Sequence, residues 1–87
     1  MDKKVTIYIS NNSTECRRLK NQLDEWKIDY QTKNISDDRK NLERLQGFGI
    51  FATPAVFVDD TVILGFQKNK LKKTLGIDYQ SYYRTIL

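Results

Sequence analysis

The sequence predicts an α/β domain of order β-α-β-α-β-β-α, with a mixed four-stranded sheet and an extra C-terminal helix. Two patterns carry this expectation. Short runs rich in β-branched residues alternate apolar and polar side chains, and the stretches between them place apolar residues three and four apart. Turn and cap residues punctuate the boundaries, and no linker, repeat or low-complexity segment interrupts the order.

From Lys3 to Ser10, Val5, Ile7 and Ile9 alternate with Thr6 and Tyr8, which is a strand pattern closed by the polar run Ser10 to Thr14. Cys16, Leu19, Leu23 and Trp26 then form one apolar stripe of a helix. Asn12, with Glu15 three residues on, outlines a capping box at its start. Ile28, Tyr30 and Thr32 alternate in a second strand, and Ser36-Asp37-Asp38 caps a helix that buries Leu42 and Leu45 and stops at Gly47 and Gly49. Ala55 to Val58 and Thr61 to Leu64 flank Asp59-Asp60, the spacing of a hairpin. A third helix follows Gly65, carries Leu71 and Leu75, and ends at Gly76. Tyr79, Tyr82, Tyr83 and Ile86 continue at helical spacing, so residues 1–76 read as one domain and 77–87 as a helical extension.

The chain has 87 residues and one cysteine, and it has no histidine. A domain of this size has one small core. The lone cysteine removes disulfide scaffolds and favours a reducing compartment, and without histidine neither a structural zinc site nor a histidine base is available. Val5 to Ile9 is too short for a signal sequence or a membrane span, so a cytoplasmic location without membrane association is expected. Sequons at Asn11, Asn12 and Asn34 are then expected to be unused.

The net charge of +4 is local. Residues 67–87 hold five cations and one anion, whereas residues 1–66 hold ten of each sign. Lys68, Lys70, Lys72 and Lys73 read first as a solvated helix face, and more sharply as a docking patch for an acidic partner protein. Nucleic acid is the weaker reading, because no aromatic residue interleaves with these lysines.

Ligands of open α/β sheets bind beyond the carboxyl ends of the parallel strands, which directs attention to Ser10–Thr14 and the helix start behind it. Such a helix start stabilises an anion or a thiolate, and Cys16 falls there beside Arg17 and Arg18. The plainer reading makes Cys16 a small core residue in register with Leu19 and Leu23, and Ser13 a helix cap. Ala52-Thr53-Pro54, just before the third strand, is a second landmark, either a simple edge-strand start or a cis-proline turn.

Other motifs fail on context. Gly47 to Ala52 satisfies G-x-G-x-x-A but follows a helix and precedes a strand, the reverse of a dinucleotide fingerprint. The carboxylate pairs Asp37-Asp38 and Asp59-Asp60 sit where a cap and a turn explain them.

With these landmarks in place, the chain resembles the glutaredoxins. Tyr8 to Arg17 occupies the place of the active-site loop, Thr53-Pro54-Ala55 looks like the family's cis-proline segment, and Gly65-Phe66 takes the place of the pair before the last helix. That last feature is closer to the glutaredoxin-like redoxins serving ribonucleotide reductase than to the glutathione-binding branch. The resemblance covers roughly residues 3 to 75 and implies a thioredoxin-like fold and thiol–disulfide exchange, with no cofactor. It implies as partners a disulfide-bearing protein or a low-molecular-weight thiol, with a thioredoxin-type reductase as electron donor. It places the nucleophile position at Ser13 and the resolving position at Cys16, and assigns Thr53, Pro54, Asn12, Gly65 and Phe66 to substrate binding.

The departure is Ser-x-x-Cys where the family keeps Cys-x-x-Cys. A serine hydroxyl is not ionised near neutral pH and forms no mixed disulfide, so the expectation is binding without a dithiol cycle. A serine at 13 fits either drift from catalysis toward binding or a deliberate Cys→Ser replacement that silences the site. The alternative from a different class is a noncatalytic interaction module that binds a protein or a small anion.

Overall fold

Val5–Ile9 (β1) forms the inner edge of both core layers, and its neighbours follow from what each face must cover. The computed structural model describes residues 3–77. After β1 come α1 (Thr14–Glu25), β2 (Gln31–Asn34), α2 (Arg39–Gly47), β3 (Ala55–Val58), β4 (Thr61–Leu64) and α3 (Lys68–Leu75). The sheet order is β2-β1-β3-β4. β1 runs parallel to β2, with Ile7 opposite Thr32, and antiparallel to β3, with Ile7 opposite Val56. β3 and β4 form the antiparallel hairpin, with Val56 opposite Ile63.

The period-2 pattern distributes β1 between two cores. On one face Val5, Ile7 and Ile9 join Val56, Val58 and Ile63 beneath Cys16, Leu19 and Leu23 of α1 and Leu71 of α3. On the other, Tyr8 and Ala55 pack with Leu45 of α2, and the half-buried Ile35, Ile50 and Phe57 complete that layer. Phe57 meets the Tyr8 ring edge-on, with centroids 5.4 Å apart. Leu42, expected to share the buried side of α2, is only half-buried.

All three helices end in the same hydrogen-bond pattern. One or two residues past each helix a residue is left-handed, and the amide after it bonds to a carbonyl five residues back. Gly49 (φ 79°) and Gly76 (φ 78°) supply this for α2 and α3, with Ile50 N–H donating to Leu45 O at 3.2 Å and Ile77 N–H to Lys72 O at 2.9 Å. At the end of α1 the left-handed residue is Lys27 (φ 59°), and Ile28 N–H donates to Leu23 O at 2.9 Å.

This last bond corrects the second strand. Ile28 belongs to the helix stop, Tyr30 to the connection, and β2 begins at Gln31. Both residues pack against the α1–α3 core, which is why their alternation imitated a strand. The capping box is corrected as well. The N-cap of α1 is Ser13, not Asn12, which is left-handed (φ 59°) in the turn before it. The N-cap of α2 is Asp38, whose carboxylate accepts from Lys40 N–H at 2.9 Å. The expected C-terminal helical stripe from Tyr79 to Ile86 lies outside the described residues.

Candidate active site

The end of β1, the start of α1, and the segments before β3 and after β4 meet at one end of the sheet. Ser13 enters α1 with extended backbone (φ −115°, ψ 116°), and its Oγ accepts the Cys16 N–H at 3.2 Å. This is the N-cap bond, satisfying a donor that the helix cannot satisfy itself. Cys16 lies one turn inward with only 3% of its surface exposed, while Arg17 and Arg18 point to solvent. Ser13 is half-buried and reachable, so the hydroxyl rather than the thiol is presented at the surface.

Thr53, Pro54, Gly65 and Phe66 are brought to the same end by a ring of hydrogen bonds. Ser10 Oγ and Thr53 Oγ1 lie 2.7 Å apart. The Thr53–Pro54 peptide is cis, so the second of the two readings of this segment is the one observed. Pro54 O accepts Gly65 N–H at 2.8 Å, and the next amide, Phe66 N–H, donates to Glu15 Oε2 at 2.8 Å. Glu15 returns the ring to α1. Gly65 is left-handed (φ 76°), and a Cβ there would lie 3.2 Å from Glu15 Oε2, so glycine is required twice over.

A second set of bonds holds the loop from the β2 side. Asn34 Oδ1 accepts from Ser36 N–H at 2.8 Å and Asp37 N–H at 3.1 Å, an Asx turn. Its Nδ2 donates to Asn11 Oδ1 at 3.0 Å, while Asn11 N–H donates to Ser36 Oγ at 3.0 Å. Asn12, predicted to bind substrate, is left-handed in the turn between β1 and α1 and stays exposed.

Sequence reasoning missed Glu15, Ser10, Asn11 and Asn34. Glu15 carried a signal that pointed elsewhere, because an acid in a first turn reads as a capping partner. Asn34-Ile35-Ser36 read as a sequon, yet Asn followed by Ser and Asp is also the pattern of an Asx turn. The bond between Ser10 and Thr53 spans 43 residues and carries no local signature.

Beside this ring runs a groove of about 460 Å³, walled by Ile50, Phe51, Pro54, Leu64 and Gly65 with Glu15 at its rim. Phe51 is 77% exposed and Leu64 53%. On the other side of the loop, a more polar depression is lined by Asn11, Ser13, Arg17, Lys20 and Asn34. Among the described residues, no group of three Cys, Asp or Glu side chains converges, and no helix is long and apolar enough to cross a membrane.

A four-stranded mixed sheet, a helix N-terminus carrying Cys16, and a Thr-Pro turn facing it define a protein of the thioredoxin-like class. The Glutaredoxin family model matches residues 5–63, and the chain belongs to the glutaredoxin family. It is 32% identical over 69 residues to the glutaredoxin-like protein NrdH of Lactococcus lactis subsp. cremoris, a match covering 79% of this chain and 96% of that one. Among solved structures, the thioredoxin-like protein BC3987 superposes with a TM-score of 0.78 at 27% identity, covering 83% of this chain and all (100%) of that one. NrdH-redoxin from Escherichia coli shares the fold, with a TM-score of 0.74 at 23% identity over 80% of this chain and 92% of that one.

Proposed function

We propose that this chain is a glutaredoxin-like redoxin of the thiol–disulfide oxidoreductase class that engages a disulfide-bearing partner without running a dithiol cycle, because Ser13 stands at the nucleophile position. The observation that carries the reading is the bond from Cys16 N–H to Ser13 Oγ at 3.2 Å, which sets the two residues one helical turn apart at the start of α1, where both line the polar depression beside the loop. Redoxins of this family act on disulfides and are returned to the dithiol state by reductases. In that cycle, a thiolate at the first position attacks one sulfur of the substrate, a mixed disulfide forms, and the other sulfur leaves as a thiolate. The second thiolate then displaces the substrate, which gains two electrons in all, and the redoxin is left with an internal disulfide. Cys16 is, in this reading, the residue for the second step, and Ser13 has no thiolate for the first.

In this reading the backbone groups of Thr53, before Pro54, hold a partner segment in the groove, as an added strand would be held. A disulfide-bearing protein is the partner class favoured by the groove's apolar walls, a low-molecular-weight disulfide or thiol being the smaller alternative. A thioredoxin-type reductase is then the donor that a dithiol form would use.

The burial of Cys16 favours a second reading, a noncatalytic interaction module that uses the same groove for binding alone. Both readings require an unreactive thiol, and native-state alkylation measures it. Iodoacetamide should label Cys16 slowly in buffer and fast in denaturant. Fast labelling of the folded chain at neutral pH would contradict binding without turnover and make Cys16 itself the working nucleophile.

A further inference from the structure

We infer that Glu15 decides the charge of what the Pro54 groove admits, turning away a disulfide that carries a carboxylate and accepting an uncharged or cationic one. The inference rests on the reading that this groove receives the disulfide-bearing segment.

Two observations carry it. The Phe66 amide stands at the groove's end, one residue before the N-cap of α3, where a free N–H and the helix dipole would attract an anion. That amide is already taken, because Glu15 Oε2 accepts it at 2.8 Å. The protein therefore supplies its own carboxylate to the position that a ligand's carboxylate would otherwise occupy. In addition, among the described residues Glu15 is the one charged side chain lining the groove, whose other walls are mostly apolar, with Thr53 the one other polar side chain. An arriving carboxylate meets a like charge across a largely apolar, weakly screening surface and finds the Phe66 donor already taken, whereas an ammonium or guanidinium meets the unshared Glu15 Oε1. The occupant that fits is an apolar segment whose disulfide is flanked by neutral or basic residues.

Gly65 makes the arrangement possible. A side chain there would press on Glu15 Oε2 at 3.2 Å, so the close approach of the carboxylate to the Phe66 amide depends on the missing Cβ.

The test uses three small disulfides of different charge: bis(2-hydroxyethyl) disulfide (neutral), cystamine (cationic) and glutathione disulfide (anionic). Binding to the chain with its Ser13 is followed by the amide NMR signals of Gly65 and Phe66, beside Glu15→Ala and Glu15→Gln. The neutral and cationic probes should bind about tenfold or more tightly than the anionic one, and both variants should shrink that gap at least about fivefold. Glu15→Ala should favour glutathione disulfide more than Glu15→Gln does, because alanine frees the Phe66 N–H and glutamine can still accept it. Equal binding of all three probes by the unaltered chain, an unchanged gap in both variants, or no binding by any probe would overturn the inference. A separate arm isolates the underlying reading: Ser13→Cys should reduce the neutral disulfide with or without Glu15. Failure there rejects the redox assignment, while an unchanged charge preference in a protein that does reduce the neutral disulfide rejects the role of Glu15 alone.

Discussion

Ser13 Oγ accepts the backbone N–H of Cys16 at 3.2 Å, so the residue proposed for the nucleophile position is the N-cap of the helix that carries the thiol. One side chain thus has a structural duty and, by proposal, a lost chemical one. Substitution separates them. Ser13→Ala removes the cap and should lower stability by about 1 kcal/mol, and Ser13→Gly by only a few tenths, roughly 0.3 kcal/mol, as read by urea unfolding. Equal stability of all three chains would show that the cap bond is not made in solution.

Lys27 occupies a left-handed position (φ 59°) at the end of α1, where the two other helices use glycine. The strain of a Cβ in that region costs on the order of 1 kcal/mol. Lys27→Gly should therefore raise the unfolding midpoint slightly, with a gain of up to about 0.5 kcal/mol after the added backbone entropy of glycine is subtracted. No change in midpoint would mean that the lysine conformation is unstrained.

Gly65 is the opposite case. Gly65→Ala places a Cβ at positive φ (76°) and 3.2 Å from Glu15 Oε2. It should destabilise the fold by about 1–3 kcal/mol and shift the Phe66 amide resonance as the bond to Glu15 loosens. The double variant Gly65→Ala with Glu15→Ala should recover part of the loss, because the side-chain clash is removed while the backbone strain remains.

Tyr30 donates its hydroxyl to Asp24 Oδ1 at 2.8 Å. Burial, followed by the hydrogen bond and the negative charge of Asp24, pushes its pKa up from 10.0 to about 12. The neutral phenol is the form the folded chain favours. This contribution to stability is present in full below pH 10 and is lost as pH rises from there toward 12. Tyr30→Phe should flatten that part of the stability profile, and Asp24→Asn should bring the Tyr30 titration, followed by NMR of its ring, back toward 10.0. Titration of Tyr30 at its ordinary value in the unaltered chain would contradict the pairing.

The fold was legible where one residue pattern had one cause. Val5, Ile7 and Ile9 alternate because β1 is central, and Cys16, Leu19 and Leu23 repeat at helical spacing because α1 has one buried stripe. The reading failed where two causes give the same pattern. Ile28 and Tyr30 alternate like a strand but are held by the helix stop and the core, and Asn12 with Glu15 imitates a cap that Ser13 makes. The site was half legible for a similar reason. Cys16 and Pro54 are the chain's single cysteine and single proline, and Thr53 directly precedes that proline, whereas Glu15 and Asn34 act through bonds that only the folded chain brings about.

The central claim is that a single atom, the Ser13 oxygen in place of a sulfur, separates this chain from a working dithiol redoxin. The most direct measurement is a single-turnover reaction of the reduced chain and of Ser13→Cys with excess bis(2-hydroxyethyl) disulfide, the products being resolved by intact-mass spectrometry. The account predicts an internal disulfide and two equivalents of released thiol from Ser13→Cys, and no comparable thiol release from the unaltered chain. Efficient reduction by the chain with Ser13, or a Ser13→Cys chain that folds but never closes a disulfide with Cys16, would contradict it.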